Sequence, residues 1–438
     1  MTAPYPTPTR SRWYMLALLC MLFAVSMVDR LILALLVQPI QRDLGVSDTQ
    51  LGMLMGAAFA LLYSFAGFPI AQLLDRHRRK AVMVAGITLW SLSTVLSGLA
   101  HSFEVLFLLR AGVAVGEAVL TPAAVSLIAD MFGPRERALP TSIYMATAGF
   151  MGTGAFAVGG VVLQFAGVIE PSTGLAPWRT TIMMVGLPGL LLAFLLATTT
   201  REPARAATPG AEAAATTAAG LRYLRERWRL FLPFFLGSGV LNIFTMGIIA
   251  WFPTFLVRAT GVDAAHSGYL FSLAGVPAGF LGSFFWPWVA NKLDVRGRHD
   301  TIPLLLAVTA LAIVPVAALM PFAPSAGVAT ILAGVLILIV STNTTLPLIA
   351  IQAVGAGSMR GRLTALELLA YNLIGLATGP VIVAWVGERF SPAGTALGTA
   401  LAVTAAGAGT VAAILFFLAR RPYAAELNTI ATIESAAA

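Results

Sequence analysis

Apolar runs near twenty residues long recur along almost the whole chain, each close to the length an α-helix needs to cross about 30 Å of hydrocarbon. Twelve are read: Trp13–Gln38, Thr49–Gln72, Ala81–Ala100, Phe103–Met131, Leu139–Phe165, Trp178–Thr199, Leu230–Arg258, Ser267–Ala290, Thr301–Pro321, Gly327–Ala353, Leu363–Val386 and Gly394–Ala419. Backbone amides in hydrocarbon must be satisfied within each spanning segment, so the expected fold class is an all-α integral membrane protein. Composition agrees: 58% of the 438 residues are hydrophobic and 11% charged, less than half the roughly 25% charged residues of a soluble domain. The single cysteine, Cys20, excludes an intrachain disulfide. No Cys/His cluster has metal-ligand spacing and no catalytic constellation is visible, so neither metal, cofactor nor enzyme activity is expected. The first apolar run is too long for a signal-peptide core and is expected to remain as helix 1.

The formal charge of +8 raises the question of nucleic acid, which the placement of the basic residues answers. With the N-terminus inside, 21 Lys and Arg fall in inner segments and four, Arg42, Arg179, Arg258 and Arg389, in outer loops. This is the positive-inside distribution, and it predicts a multi-pass inner-membrane protein with both termini cytoplasmic. Basicity is accounted for by topology, so no nucleic-acid partner is expected.

The longest hydrophilic stretch lies at the centre. Its first part is rich in Ala, Thr, Pro and Gly and reads as a flexible linker; its second, LRYLRERWRL, is basic with apolar residues at helical spacing and is expected on the inner leaflet. The predicted domains are a six-helix bundle over 1–199, a cytoplasmic linker over 200–229, and a second bundle with a short tail over 230–438. An internal repeat supports the division: AQLLDRHRRK follows the second span and ANKLDVRGRH the eighth. Their aspartates, Asp75 and Asp294, stand 219 positions apart, half the chain length. Two six-helix halves related by a repeat, with the substrate site between them near mid-membrane, are one transporter plan.

The fourth span carries Arg110 and Glu117. Burying either in hydrocarbon costs at least ~2.5–3.5 kcal/mol, so each is expected to face protein or a water-filled cavity. Seven residues apart, they share a helix face but are about 10 Å apart along the axis, too far to pair with each other. Asp29, about 24 Å from the inner end of the first span, and Arg110, about 10 Å from the outer end of the fourth, both fall in the outer half and are expected to pair. Glu117 is placed deeper, without an obvious partner. Arg30 should point about 100° away from Asp29, toward another helix or the outer surface. A static set of ion pairs fixing helix packing is the alternative to a transport role.

Arginine stays protonated, whereas a carboxyl in an apolar cavity can exchange a proton near neutral pH. With both acids ionised, Asp29, Arg30, Arg110 and Glu117 sum to zero; with Glu117 protonated they sum to +1, which suits an anionic head group. Proton-coupled transport of an anionic or zwitterionic amphiphile is therefore expected of these residues.

The loop from Ala71 to Lys80 resembles the Gly-x-x-x-Asp-Arg-x-Gly-Arg-Arg signature of the major facilitator superfamily, departing at both glycine positions, Ala71 and Arg78. Val28-Asp29-Arg30, the second span, RAGVAVGEA, SLIADMFGPRERA and NLIGLATGP are together similar to its bacterial Spinster-like branch. The Asp-Arg pair and the Arg-to-Glu spacing are shared with the anion:cation symporter branch; the Ile-Ala-Asp-Met-Phe end of the fourth span favours Spinster. This resemblance implies twelve helices in two pseudo-two-fold-related bundles and an alternating-access secondary transporter, expected to act as a monomer. Eukaryotic relatives handle lysophospholipids and sphingosine-1-phosphate. It also implies a cytoplasmic gate: Asp75, Arg76 and Arg79 would face Asp130 and Arg137, with Glu367 either a gate member or simply an acid near a helix start.

Three other functions stay open. Uptake of a small organic anion needs several converging donors, whereas a lipid needs a long apolar pocket; the second half offers few polar residues beyond Asn242, Thr245, Asn343, Thr344, Gln352, Tyr371 and Asn372, which leans toward an amphiphile. Of these, Asn242, Asn343, Tyr371 and Asn372 are candidate cavity residues. Proton-driven drug efflux is disfavoured because the fifth span lacks the proline of the antiporter signature, reading Ala155-Phe156-Ala157-Val158-Gly159-Gly160. A transporter-like sensor or scramblase would lack a coupled cycle.

Overall fold

Alternating polar punctuation and long apolar runs give helices and nothing else among the described residues. The structure, a computed structural model, describes residues 9–204, 217–294, 299–355, 359–390 and 396–437. Arg296 and Arg298 of the second repeat loop and residues 205–216 of the expected linker lie outside them. In order the elements are α1 (Thr9–Leu44), α2 (Asp48–Met55), α3 (Ala57–Arg76), α4 (Arg79–Ser97), α5 (Phe103–Glu117), α6 (Leu120–Met131), α7 (Ala138–Thr173), α8 (Pro177–Thr199), α9 (Thr217–Glu226), α10 (Trp228–Thr260), α11 (Ala264–Asp294), α12 (Thr301–Ala318), α13 (Ala326–Val340), α14 (Thr342–Val354), α15 (Arg360–Ala370), α16 (Ala377–Phe390) and α17 (Ala396–Ala437). A six-residue π-helical turn, Tyr371–Leu376, joins α15 to α16.

Among the described residues, eleven helices are long and apolar enough to cross a membrane. The expected twelfth is the charged fourth span, which is two shorter helices: α5 ends at Glu117 and α6 begins at Leu120. Local signals set several helix starts. Ser47 and Gln50 form a reciprocal capping box at α2, and the Ser102 and Ser325 hydroxyls accept from the third amide of α5 and α13, each satisfying an orphan donor at a helix start.

The chain packs into two compact units, Met1–Thr208 with Gly261–Val276, and Pro209–Thr260 with Pro277–Ala438. Gly261–Val276, expected in the second half, groups with the first. Its side chains lock onto α7: the Ser272 hydroxyl donates to Thr153 O at 2.7 Å and accepts from the Ala157 amide at 2.9 Å, inserting into the α7 backbone ladder, while Tyr269 donates to Gln164 at 3.0 Å.

In the first unit, α4 and α5 touch backbone to backbone. A Cβ on Gly116 would lie 2.6 Å from Gly86 O, an approach only small residues permit. This contact fixes the α5 face carrying Gly112 and Gly116 and leaves the opposite face, with Arg110 and Glu117, to meet other helices. At one end of α8, Arg179 donates to Gly98 O at 3.1 Å and Ala100 O at 2.6 Å and pairs with Asp43 at 2.9 Å. It thereby satisfies carbonyls left open where α4 ends.

The second unit is organised around α10, whose buried residues run from Leu230 to Leu256. It packs against α17, α16 and the π-helical turn. The basic segment before it, expected on the inner leaflet, is tied to this unit. Arg227 pairs with Glu426 at 2.7 Å, its guanidinium lies 4.3 Å from the Tyr223 ring, and Tyr223 donates to Val354 O at 3.3 Å.

Candidate functional site

Four charges from α1 and α5 meet inside the first unit as two ion pairs. Arg110 reaches Asp29 Oδ1 at 3.0 Å, and the second carboxylate oxygen of Asp29 accepts from the Thr94 hydroxyl of α4. Asp29, Arg110 and Glu117 are all buried. A pair so placed holds together because removing either partner would leave an uncompensated charge in the interior.

Glu117 does have a basic partner, which the depth comparison did not supply: Arg30 Nη2 lies 2.8 Å from Glu117 Oε2. The reason is geometric. The first helix runs Thr9–Leu44, beyond the expected Trp13–Gln38 at both ends, yet its midpoint shifts by only about one residue; Arg30 turns toward another helix, one of its two expected directions, and its long side chain spans the remaining difference in depth to Glu117. Glu117 is the last residue of α5, so its depth does not follow from a continuous helix through Met131.

Arg30 is the one open member of the set. Its side chain is 22% exposed while that of Glu117 is 0% exposed. Its guanidinium lies 4.4 Å from the Phe59 ring centroid and 5.3 Å from that of Tyr63, a cation over two aromatic faces. Phe59, Tyr63 and Thr94 were not singled out from the sequence. The available signal was the spacing of Phe59 and Tyr63, four apart on one face of a helix. Arg30 Nε, Arg110 Nε and Nη2, and Glu117 Oε1 have no protein partner, so the cluster retains donors for a ligand and an acceptor for a proton.

The expected gate residues divide. Arg79 is buried and pairs with Asp130; it also donates to Ser126 Oγ at 2.8 Å and Pro203 O at 3.2 Å, and Glu202 accepts its backbone amide at 2.8 Å. It thus binds the end of α6 to the start of the linker. Asp75, Arg76 and Arg137 are exposed, and of the five expected gate groups Arg79 and Asp130 form a largely buried ion pair. Glu367 belongs to the second unit. It is 3% exposed, well inside its helix, and accepts from the Ser238 hydroxyl of α10.

The candidate polar residues of the second unit gather near Glu367. Asn343 donates to Ser238 O at 2.9 Å, and Asn242 donates to Tyr371 O at 2.9 Å. Tyr371 and Asn372, both half-buried, begin the π-helical turn, a backbone irregularity frequent at functional sites. Asn242 is accommodated because residue 375 is glycine: a Cβ there would lie 2.3 Å from the Asn242 side chain.

Comparison with known proteins places this geometry. Residues 18–373 match the model of the Major Facilitator Superfamily. The chain is 28% identical to an MFS-type efflux pump of Mycolicibacterium smegmatis over 417 residues, 94% of each protein. It is 28% identical to a probable L-galactonate transporter of Escherichia coli over 279 residues, 59% of each. The crystal structure of a bacterial homologue of the human lysosomal transporter Spinster, inward-facing and unoccupied, superposes with a TM-score of 0.80 at 25% identity, covering 97% of this chain and 98% of that one. The chain belongs to the Major Facilitator Superfamily, as a multi-pass secondary transporter of the kind that includes the Spinster homologues.

Proposed function

We propose that the protein couples proton movement to transport of an anionic or zwitterionic amphiphile, such as a lysolipid, across the inner membrane. The observation that carries this reading is the Arg30–Glu117 pair, in which the carboxylate is enclosed and its guanidinium partner is partly open. While Glu117 is ionised it pairs with Arg30 through Nη2. Protonation removes the competing charge and leaves Arg30 free to hold a phosphate or carboxylate. Proton and anion then bind together, and loss of the proton returns Arg30 to Glu117 and disfavours the anion. Asp29 and Arg110, paired deeper in protein with Thr94, hold the positions of α1 and α5 while this exchange occurs. Beside Arg30, the half-buried Tyr63 ring, backed by the fully buried Phe59, offers apolar surface suited to the tail side of an amphiphile.

In this reading both termini are cytoplasmic, and Arg79 with Asp130 serves as the cytoplasmic latch. Uptake of a small organic anion is the second reading, favoured by the likeness to the probable L-galactonate transporter. The deciding experiment adds a lysophospholipid, or a sugar acid, to proteoliposomes containing the protein and a pH-sensitive dye. Proton movement with the lysophospholipid alone supports the first reading and with the sugar acid alone the second. Transport of either without proton movement overturns the coupling.

A further inference from the structure

Away from the four charges of the first unit, the second unit holds a carboxylate with no basic partner. Glu367 is 3% exposed, and among the described residues no Lys or Arg pairs with it. One of its oxygens accepts from Ser238; the other, Oε2, has no protein partner. The side-chain oxygens of Asn242 and Asn343 are likewise buried and unpartnered. Their orientation is not arbitrary. Each amide nitrogen donates to a backbone carbonyl, of Tyr371 and Ser238 respectively, and a carbonyl only accepts, so turning either amide over would place oxygen against oxygen.

These three oxygens belong to one connected group. Ser238 joins Glu367 through its hydroxyl and Asn343 through its carbonyl. Asn242 lies one turn beyond Ser238 on α10 and binds Tyr371, one turn beyond Glu367. Buried acceptors without donors are costly, and an unpaired buried carboxylate more so. A proton on Glu367 supplies a single donor, so at least one of the two amide oxygens would stay orphaned. A cation among the three satisfies all of them.

We infer that Glu367, Asn242 and Asn343, with Ser238 orienting the carboxylate, form a binding site for a small monovalent cation of the sodium type. Its charge follows from the single carboxylate: a monovalent ion brings the buried site to neutrality, whereas a divalent ion leaves a net positive charge inside the membrane. The ligand set is oxygen only, which suits a hard cation and not a soft transition metal. Partly exposed Tyr371 and Asn372 at the adjoining π-helical turn offer the route of entry. The site lies in a different unit from Arg30 and Glu117 and stands or falls independently of the proton reading.

The test is thermal melting of the purified full-length protein in detergent, with sodium chloride titrated against choline chloride at constant ionic strength and pH. Sodium should raise the melting temperature saturably, by about 2–4 °C, and ²²Na⁺ should bind with matching affinity. Glu367→Gln and Asn343→Leu should each abolish both effects, while Glu117→Gln should retain them. Because Asn343→Leu could disturb packing, Asn343→Gln serves as a second variant; it keeps both a donor for Ser238 O and an oxygen ligand and should retain a saturable sodium-dependent rise in melting temperature. Equal melting in sodium and choline, with no ²²Na⁺ bound, overturns the inference. A sodium response that survives in Glu367→Gln overturns it equally.

Discussion

Arg30 and Glu117, 87 residues apart in sequence, meet at 2.8 Å with the acid fully enclosed and the guanidinium partly open between two aromatic rings. Both members are needed for the coupling described above, but they should fail differently when altered. Arg30→Lys keeps the charge and loses the planar fork suited to a phosphate or carboxylate. Substrate affinity should fall about tenfold or more, read by binding of a labelled lysolipid, while the protein remains folded.

Arg110 should behave as a positioning residue. Arg110 reaches both the Asp29 carboxylate and the Asp29 carbonyl through Nη1; Arg110→Lys retains a charge opposite Asp29 but shortens the reach from α5 to α1. The expected result is weakened substrate binding together with a lower melting temperature, measured on the same purified sample. Arg30→Lys should lower the first without much change in the second.

The loop charges should separate by burial. Arg79→Met removes the partner of Asp130 and the donor to Ser126 and Pro203, a loss on the order of 3 kcal/mol for a broken buried pair. Arg76→Ala, at an exposed position, should cost no more than about 0.5 kcal/mol. Chemical denaturation in mixed micelles measures both. Equal effects would mean that burial of Arg79 does not govern this contact.

Close packing of α4 on α5 is tested by Gly116→Ala. The added methyl would lie 2.6 Å from Gly86 O, so the helices must part, at a cost of about 1–3 kcal/mol. The movement would also displace Glu117, the next residue, so proton-linked transport should fall with stability.

How much of this was readable beforehand differs from residue to residue. Asp29 and Arg110 could be matched because opposite charges in two apolar spans must find each other, and their estimated depths agreed. Arg30 and Glu117 were not matched because Glu117 was placed by counting along a helix continuous to Met131, whereas α5 ends at Glu117, and because the reach of the long Arg30 side chain was not counted. The break after Glu117 does have a trace in sequence: Pro122, in the first turn of α6, has no amide to donate to Ala118 O, which disfavours a continuous helix through Ala118 and Val119. Glu367 read equally as a gate member or an acid near a helix start because the apolar run begins at Leu363; the helix starts at Arg360, and Glu367 is buried and accepts from Ser238 of α10. The π-helical turn at Tyr371–Leu376 has no periodicity that would distinguish it from an ordinary helix.

Topology follows from the distribution of charge and is open to labelling. In a Cys20→Ala background, Arg78→Cys and Gly361→Cys, both at exposed positions, should react only with a reagent admitted to the cytoplasm. Gly174→Cys, at the exposed end of α7, should react only from outside. Labelling of Arg78→Cys from outside would reverse the first unit's orientation, and labelling of Gly361→Cys from outside the second's.

Glu117→Gln tests the central claim most directly. The substitution keeps the size and hydrogen-bonding reach of the neutral acid and removes the exchangeable proton, so Arg30 is permanently free to hold an anion. In proteoliposomes, accumulation of substrate driven by a pH step should vanish, while counterflow between two equal substrate pools should persist, because exchange requires no net proton movement. Should Glu117→Gln still concentrate substrate in response to the pH step, Glu117 does not carry the proton and the account is contradicted.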